Sequence, residues 1–316
     1  MSIESELDAL GTALGGLRWV PGPGGNVSVK EDGTLYVKAS GVRLRSVGSA
    51  YATVPLGLAD RALAGDAEAD ANVFALTPRP SLETYFHALG PRVVAHTHPL
   101  GMLLLACANA AFVDVDAVRI PYERPGRGIA VSIQRAFGGG PVRGAVLLER
   151  HGLIVFAPSV DEAITRTRAL DEQVRRAWGA LPDVDAQHDA YVRAGTEVVL
   201  PSGARARSLP PRASSGRYLF PDAVVYASAL QVDVADAATA ERAFAATGRP
   251  VVIVDPNGAR MAVAKNADQL AFALEVTCAH DWLEDVLEKR GLAHHLPDDE
   301  PARILDLPAE KYRLKL

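Results

Sequence analysis

The chain has 316 residues, 48% of them hydrophobic and 22% charged, with a formal net charge of −5. That length exceeds the usual size of one compact domain and supplies ample apolar material for a core. The acidic balance excludes the broad basic face that nucleic acid requires, while a local pocket can still be positive toward a small anion. The two cysteines, Cys107 and Cys278, lie far apart and form no Cys-x-x-Cys pair. They read as buried small hydrophobes in a reducing cytoplasm, not as a disulfide framework. Residues 1–10 lack the basic-then-apolar order of a secretion signal. The longest apolar run, 101–113, is too short to span a membrane and is broken by Asn109. A cytoplasmic protein with no nucleic-acid or membrane partner is expected.

In chain order, residues 4–14 have the apolar spacing of a helix and lead into Pro21-Gly22-Pro23-Gly24-Gly25-Asn26, a loop that exposes backbone. Strand-like runs at 27–30 and 34–39 flank Glu31-Asp32-Gly33, a hairpin signal. Residues 46–75 are mixed and give no assignment. A helix is predicted over 81–89 with Ser81 at or near its N-cap, then a buried strand over 93–97 and an apolar helix over 99–108. Strand-like runs at 144–148 and 153–156 surround a turn at 149–152. Ser159 and Glu162 have capping-box spacing, which predicts a helix running to about residue 181.

Residues 202–215 shift to Arg, Pro, Ser and Gly. Arg205, Arg207, Arg212 and Arg217 can meet an anion, but the missing periodicity points to a solvated linker. Beyond it come a strand at 224–227, a helix at 237–246, a strand at 251–254, a turn at Asp255-Pro256-Asn257-Gly258, a short strand and a long helix over 267–289. That β-α-β-β-α order can build a small α/β layer. The expected organisation is a domain over 1–201, the linker 202–215 and a small α/β domain over 216–316.

His96-Thr97-His98 carries the chemistry. In a strand alternate side chains share a face, so both imidazoles can address one ion while Thr97 points away. Pro99 cannot continue the ladder and ends the strand. Such a pair fits a metal site or two satisfied core histidines. His151, followed by Gly152, offers a third ligand between two apolar runs. Three histidines leave a coordination position open, which is the pattern of a catalytic zinc. His188, His280, His294 and His295 receive surface or packing roles. Glu83 stands in the first turn of the predicted helix, where a carboxylate serves as a general base or simply complements the dipole. His87, four residues on, reads as a structural hydrogen-bonding partner.

Taken together, Gly25-Asn26-Val27-Ser28, Lys38-Ala39-Ser40-Gly41, Pro80-Ser81-Leu82-Glu83 with His87, His96-Thr97-His98-Pro99 and His151-Gly152 resemble the class II aldolase/adducin family over roughly residues 10–180. Gly24–Lys30, Tyr36–Gly41 and Tyr218–Tyr226 especially resemble the aldolase half of bifunctional rhamnulose-phosphate aldolase/alcohol dehydrogenases. The resemblance implies a three-layer α/β/α sandwich on a central, mostly antiparallel sheet, and a homotetramer with active sites at subunit boundaries. It implies zinc on His96, His98 and His151 and catalytic acid/base work for Glu83. Asn26, Ser40, Gly41 and Ser81 match positions that hold the substrate's phosphate or its equivalent. The implied reaction is retro-aldol cleavage of a ketose or ketose phosphate through a metal-stabilised enediolate, and burial is expected to raise the Glu83 pKa.

Three departures bear on the substrate. Pro23 and Leu82 replace hydroxyl residues of some family aldolases, which weakens a phosphate site. Lys38 can supply charge instead, although a solvent-facing strand lysine is the preferred reading. The tyrosine that protonates the intermediate in some family aldolases has no clear match over residues 113–120; Tyr122 lies nearby, as a donor or a packing residue.

Epimerisation, dehydration or decarboxylation of a sugar phosphate or sugar acid fit the same residues. A non-catalytic adducin-like module would show eroded ligands, yet all stand. A cupin-type oxygenase would want a glutamate shortly after His98, where 101–105 offer none. The glycine loop at 21–25 matches neither nucleotide fingerprint.

Overall fold

The computed structural model of the chain describes residues 2–213 and 215–313. They form two compact units, one ending at Ala180 and the other beginning at Leu181. Among the described residues no helix is long and apolar enough to cross a membrane.

The first unit runs α1 (Ile3–Leu14), β1 (Asn26–Glu31), β2 (Thr34–Lys38), a 3-10 turn (Leu44–Ser49), β3 (Tyr51–Pro55), α2 (Leu56–Ala64), α3 (Ala67–Ala75), α4 (Thr84–Ala88), β4 (Val93–Thr97), α5 (Leu100–Ala106), β5 (Val118–Ile120), α6 (Arg127–Ala136), β6 (Gly144–Leu148), β7 (Gly152–Ala157) and α7 (Val160–Trp178). Its 7-stranded sheet has the order β3-β2-β1-β4-β7-β6-β5. Neighbours are antiparallel except β5 and β6, so the sheet is mixed with an antiparallel majority. The β1–β2 hairpin turns through Asp32 and Gly33, both at positive φ, as a two-residue loop demands.

Strand alternation divides the apolar side chains between two helical layers. Val27, Val29, Val93, Ala95, Leu153 and Val155 pack with α1, α5 and α7. Val94, Val146, Ile154 and Phe156 face the other way, with Phe86 of α4 and residues of α2, α3 and α6. This is the expected α/β/α sandwich. Helix α7 starts as its capping spacing predicts, with the Ser159 side chain accepting the Glu162 N–H.

The second unit comprises α8 (Val184–Arg193), β8 (Glu197–Val199), β9 (Arg205–Leu209), α9 (Pro221–Tyr226), β10 (Ala229–Gln231), α10 (Ala237–Thr247), β11 (Val251–Val254), β12 (Arg260–Ala264), α11 (Ala267–Glu288), α12 (Glu300–Leu305) and α13 (Pro308–Arg313). Its 5-stranded sheet has the order β10-β11-β12-β9-β8. Two expectations fail here. The supposed linker contains β9, which buries Ala206 and Leu209 while Arg205 and Arg207 face Glu197. The expected strand at 224–227 is helical instead. Pro221 fixes the backbone of a first helical turn, and Ala223–Tyr226 are all buried, which erases any periodicity.

Helix α11 carries a buried charge network. Arg260 donates to Asp281 at 2.7 Å, and Tyr191 donates to the same carboxylate. Arg212 donates to Glu284 at 2.7 Å and to Asp285. Burial pushes both network carboxyls up. For Asp281, His280 and Arg260 outweigh that and hold it at about 2. For Glu284, His295, His280 and Arg212 do the same, again to about 2. These folded-state values lie below the ordinary 3.8 and 4.5, so the stability they contribute is present above those values. It is lost as pH falls from about 4 toward 2. Acid titration followed by far-UV circular dichroism should show this loss, and Asp281→Asn should make the acid limb shallower from a lower starting stability.

Candidate metal centre

The register of β1 and β4 builds the floor of the site. Asn26 pairs with His96 and Ser28 with Val94, so Asn26, Ser28 and His96 share the face covered by α4. His98 follows β4, its backbone N–H donating to Trp19 O at 2.9 Å. His151 enters from the β6–β7 turn, where Arg150 takes a positive φ of 54° and donates its backbone N–H to Ala106 O.

The three imidazoles converge. Ring centroids are 4.8 Å apart for His96–His98, 5.0 Å for His96–His151 and 5.4 Å for His98–His151. One nitrogen from each ring lies within 4.8 Å of the others. All three residues are buried. The Nε2 atoms of His96 and His98 are 3.1 Å apart. Bonds of about 2.0–2.1 Å at a tetrahedral angle set ligand nitrogens roughly 3.3 Å from one another, so this spacing fits a shared cation.

The tautomer of His96 fits as well. Its Nδ1 lies 3.0 Å from Leu153 O, and a carbonyl only accepts, so Nδ1 carries the proton. The Nε2 lone pair therefore faces the site, and the carbonyl fixes the ring. Burial lowers the His96 pKa to about 3, keeping the imidazole neutral as a ligand must be.

Glu83 completes the cluster. Its Oε2 is 3.4 Å from His96 Nε2 and its Oε1 is 3.3 Å from His151 Nε2. Oε1 accepts no hydrogen bond although it is buried. An oxygen so placed, 3.3 Å from His151 Nε2, is free to take up a proton at the edge of the cluster. Burial raises the Glu83 pKa, but His96, His151 and the Asn26 amide outweigh it and leave the carboxyl below its ordinary value. The expected upward shift is thus reversed, because the imidazoles and the Asn26 amide around the carboxyl more than offset its burial. Three imidazoles with one position left open form a donor set that suits zinc and similar divalent ions, and Glu83 stands beside it.

Gly152 permits this approach. A Cβ there would lie 2.6 Å from Thr97 O and 2.7 Å from His98 Cδ2. Gly152→Ala is therefore expected to push the His98 ring aside and weaken metal binding roughly 10–100-fold, read by chelator competition. Gly25, at φ 57°, plays the matching part across the sheet, since its Cβ would sit 2.8 Å from His96 O.

The remaining expected site residues surround the glutamate. Asn26 Nδ2 donates to Glu83 Oε2 at 2.9 Å and to Ser81 Oγ at 3.1 Å. Ser81 Oγ also accepts the Glu83 N–H. Helix α4 begins at Thr84 with Glu83 at the N-cap position, so the helix is shorter than predicted and Ser81 braces the turn before it. Residues 38–41 lie along 79–81, with the Ser40 N–H donating to Arg79 O and Ala39 bridging Pro80. Ser40 and Gly41 thereby adjoin Ser81. Lys38 is buried and does not face solvent; its Nζ donates to Pro23 O at 2.9 Å and Val42 O at 2.6 Å. It ties the glycine loop to β2. Tyr122 is half-buried, with the Arg150 guanidinium 5.0 Å from its ring centroid.

Some supports had no sequence signal. Asp171, in the middle of α7, accepts the Gly101 N–H at 2.7 Å and pairs with Arg18 at 2.8 Å. Together with the Trp19 carbonyl it clamps the segment after His98. A second grouping in the other unit, His280, Asp281 and Glu284, also has metal-ligand types within reach. There His280 Nε2 accepts the Leu219 N–H, and arginines occupy both carboxylates, so the charges are already neutralised.

The family model of the class II aldolase and adducin N-terminal domain matches residues 5–178, nearly the whole first unit. The chain belongs to the class II aldolase and adducin family. An uncharacterised oxidoreductase of Bacillus subtilis, YuxG, is 31% identical over 121 residues, which are 36% of this chain and only 17% of that protein. The N-terminal class II aldolase domain of a conserved Thermoplasma acidophilum protein is 24% identical, with TM-score 0.48, covering 55% of this chain and 92% of that one. YgbL of Klebsiella pneumoniae is 24% identical, with TM-score 0.44, covering 55% and 87%. The class II aldolase domain of this chain thus coincides with the unit that gathers the histidines and Glu83.

Proposed function

We propose that the first unit is a zinc-dependent aldolase that cleaves a ketose or ketose phosphate by a retro-aldol reaction. The observation that carries this reading is the approach of Glu83 to within 3.3–3.4 Å of two of three converging imidazoles. In this reading His96, His98 and His151 hold the ion. A divalent cation there supplies positive charge against the oxyanion that develops when the bond beside a carbonyl breaks.

The chain's own residues do the rest. The Leu153 carbonyl keeps the His96 lone pair facing inward. Glu83, ionised at rest and aimed by Asn26, takes up the proton that the substrate hydroxyl loses as the carbon–carbon bond breaks and returns it to the released carbon. Ser40, Gly41 and Ser81 receive the anionic or hydroxylated end of the sugar. Asn26, whose amide is taken up by Glu83 and Ser81, serves the substrate chiefly through the glutamate. Assembly as a homotetramer in the cytoplasm accompanies this reading.

Metal analysis of the purified protein, with product NMR on a panel of ketose phosphates and sugar acids, tests it. A single divalent ion per chain and two carbonyl fragments are the expected result. A single epimerised, dehydrated or decarboxylated product would move the site to those reactions, and a metal-free, inert protein would reduce it to a binding module.

A further inference from the structure

Strand β1 presents three polar side chains, Asn26, Ser28 and Lys30, on the face beneath α4, with Val27 and Val29 in the core on the other side. Each meets the segment that carries Glu83. Asn26 donates to Glu83 and Ser81. Ser28 Oγ lies 2.7 Å from His87 Nδ1, and the other ring nitrogen of His87 bonds Asn26 Oδ1. Lys30 Nζ donates to the carbonyls of Leu89, Gly90 and Pro91 at 2.5, 3.0 and 2.9 Å.

With the buried ring neutral, one arrangement of protons satisfies this chain. Asn26 Oδ1 is a carbonyl and only accepts, so His87 Nε2 carries the proton and Nδ1 accepts from the Ser28 hydroxyl. The same bond forbids an Asn26 flip, which keeps Nδ2 pointed at the carboxylate. Every donor therefore runs toward Glu83: Ser28 to His87, His87 to Asn26, Asn26 to Glu83. His87 is fully buried, where an unmade bond would be costly.

From this geometry we infer that His87 and Ser28 are positioning residues, acting through Asn26 to hold the Glu83 carboxylate at the histidine cluster. The inference deepens the aldolase reading and rests on it for its kinetic consequence. Removing His87 frees the Asn26 amide to rotate, and a misaimed base costs turnover more than substrate affinity.

Proton–nitrogen correlation spectra of metal-free, histidine-labelled protein near neutral pH should show His87 neutral with its proton on Nε2. A proton on Nδ1 would overturn the assignment. In the metal-loaded enzyme, His87→Gln keeps a donor near the Nε2 position and should retain most of kcat. His87→Leu should lose kcat on the order of 10²-fold with KM and metal content little changed. Equal losses in both variants, tracking thermal stability, would make His87 a packing residue and overturn the proposal. If the unaltered enzyme cleaves no sugar, the aldolase reading fails. The crystal structure of His87→Leu then decides the positioning role: a lost Asn26–Glu83 bond upholds it, a kept one overturns it.

Discussion

His151→Ala is expected to purify without bound metal and to show no turnover above background. The reason lies in what remains. His96 and His98 place two nitrogens 3.1 Å apart, and His96 is locked by Leu153 with its lone pair inward. Without a metal, His98 Nε2–H can donate to the His96 Nε2 lone pair across that gap, and two imidazoles alone hold a cation weakly. The third imidazole comes from a different strand turn, more than fifty residues away, so its loss cannot be made good locally. Changing a group that merely orients a ligand costs roughly 10–100-fold in metal affinity, so deleting a ligand should exceed that. Zinc should raise the melting temperature of the unaltered protein and leave that of the variant unmoved, because only a ligand bound by the folded state stabilises it. Full metal content in His151→Ala would remove His151 from the centre.

Much of this centre is legible in the sequence because strand geometry is so restrictive. His96 and His98 straddle a single residue, and the period of two places them on one side whatever the neighbours do. Gly152 after His151 announces a close backbone approach, and the Cβ contacts with Thr97 and His98 show why no other residue fits. Glu83 is recognisable in the first turn of a predicted helix, although the helix itself is short and the glutamate sits at its N-cap position with its side chain turned to the histidines. What the sequence hides is of two kinds. Supports such as Asp171 and the Trp19 carbonyl act across long separations, and neither a lone helix aspartate nor a backbone oxygen has a pattern. The sign of the Glu83 shift is hidden too, because burial and the surrounding imidazole and amide groups oppose each other and only distances decide. In the second unit, β9 is masked by alternation of arginine with alanine, and α9 by uniform burial. Its buried histidines, His280 and His295, look like surface polar residues until the arginines and carboxylates around them are placed.

Glu83→Gln should separate metal binding from chemistry. The amide is nearly the same shape, can still accept from Asn26, and leaves all three imidazoles in place, so metal content should stay full. What disappears is the capacity to hold and release a proton at that point. General acid–base contributions of this kind amount to roughly 10²–10⁴-fold, so kcat should fall by that factor with KM changing little. Cleavage and protonation can be told apart by exchange. With the ketone fragment alone in deuterated water, the unaltered enzyme should exchange the proton on the carbon beside the carbonyl, a step that needs the base but no bond cleavage. Glu83→Gln should lose that exchange in proportion to its loss of kcat. The opposite pattern, with exchange intact while cleavage is lost, would place the mobile proton on another group and leave Glu83 only as a companion of the metal.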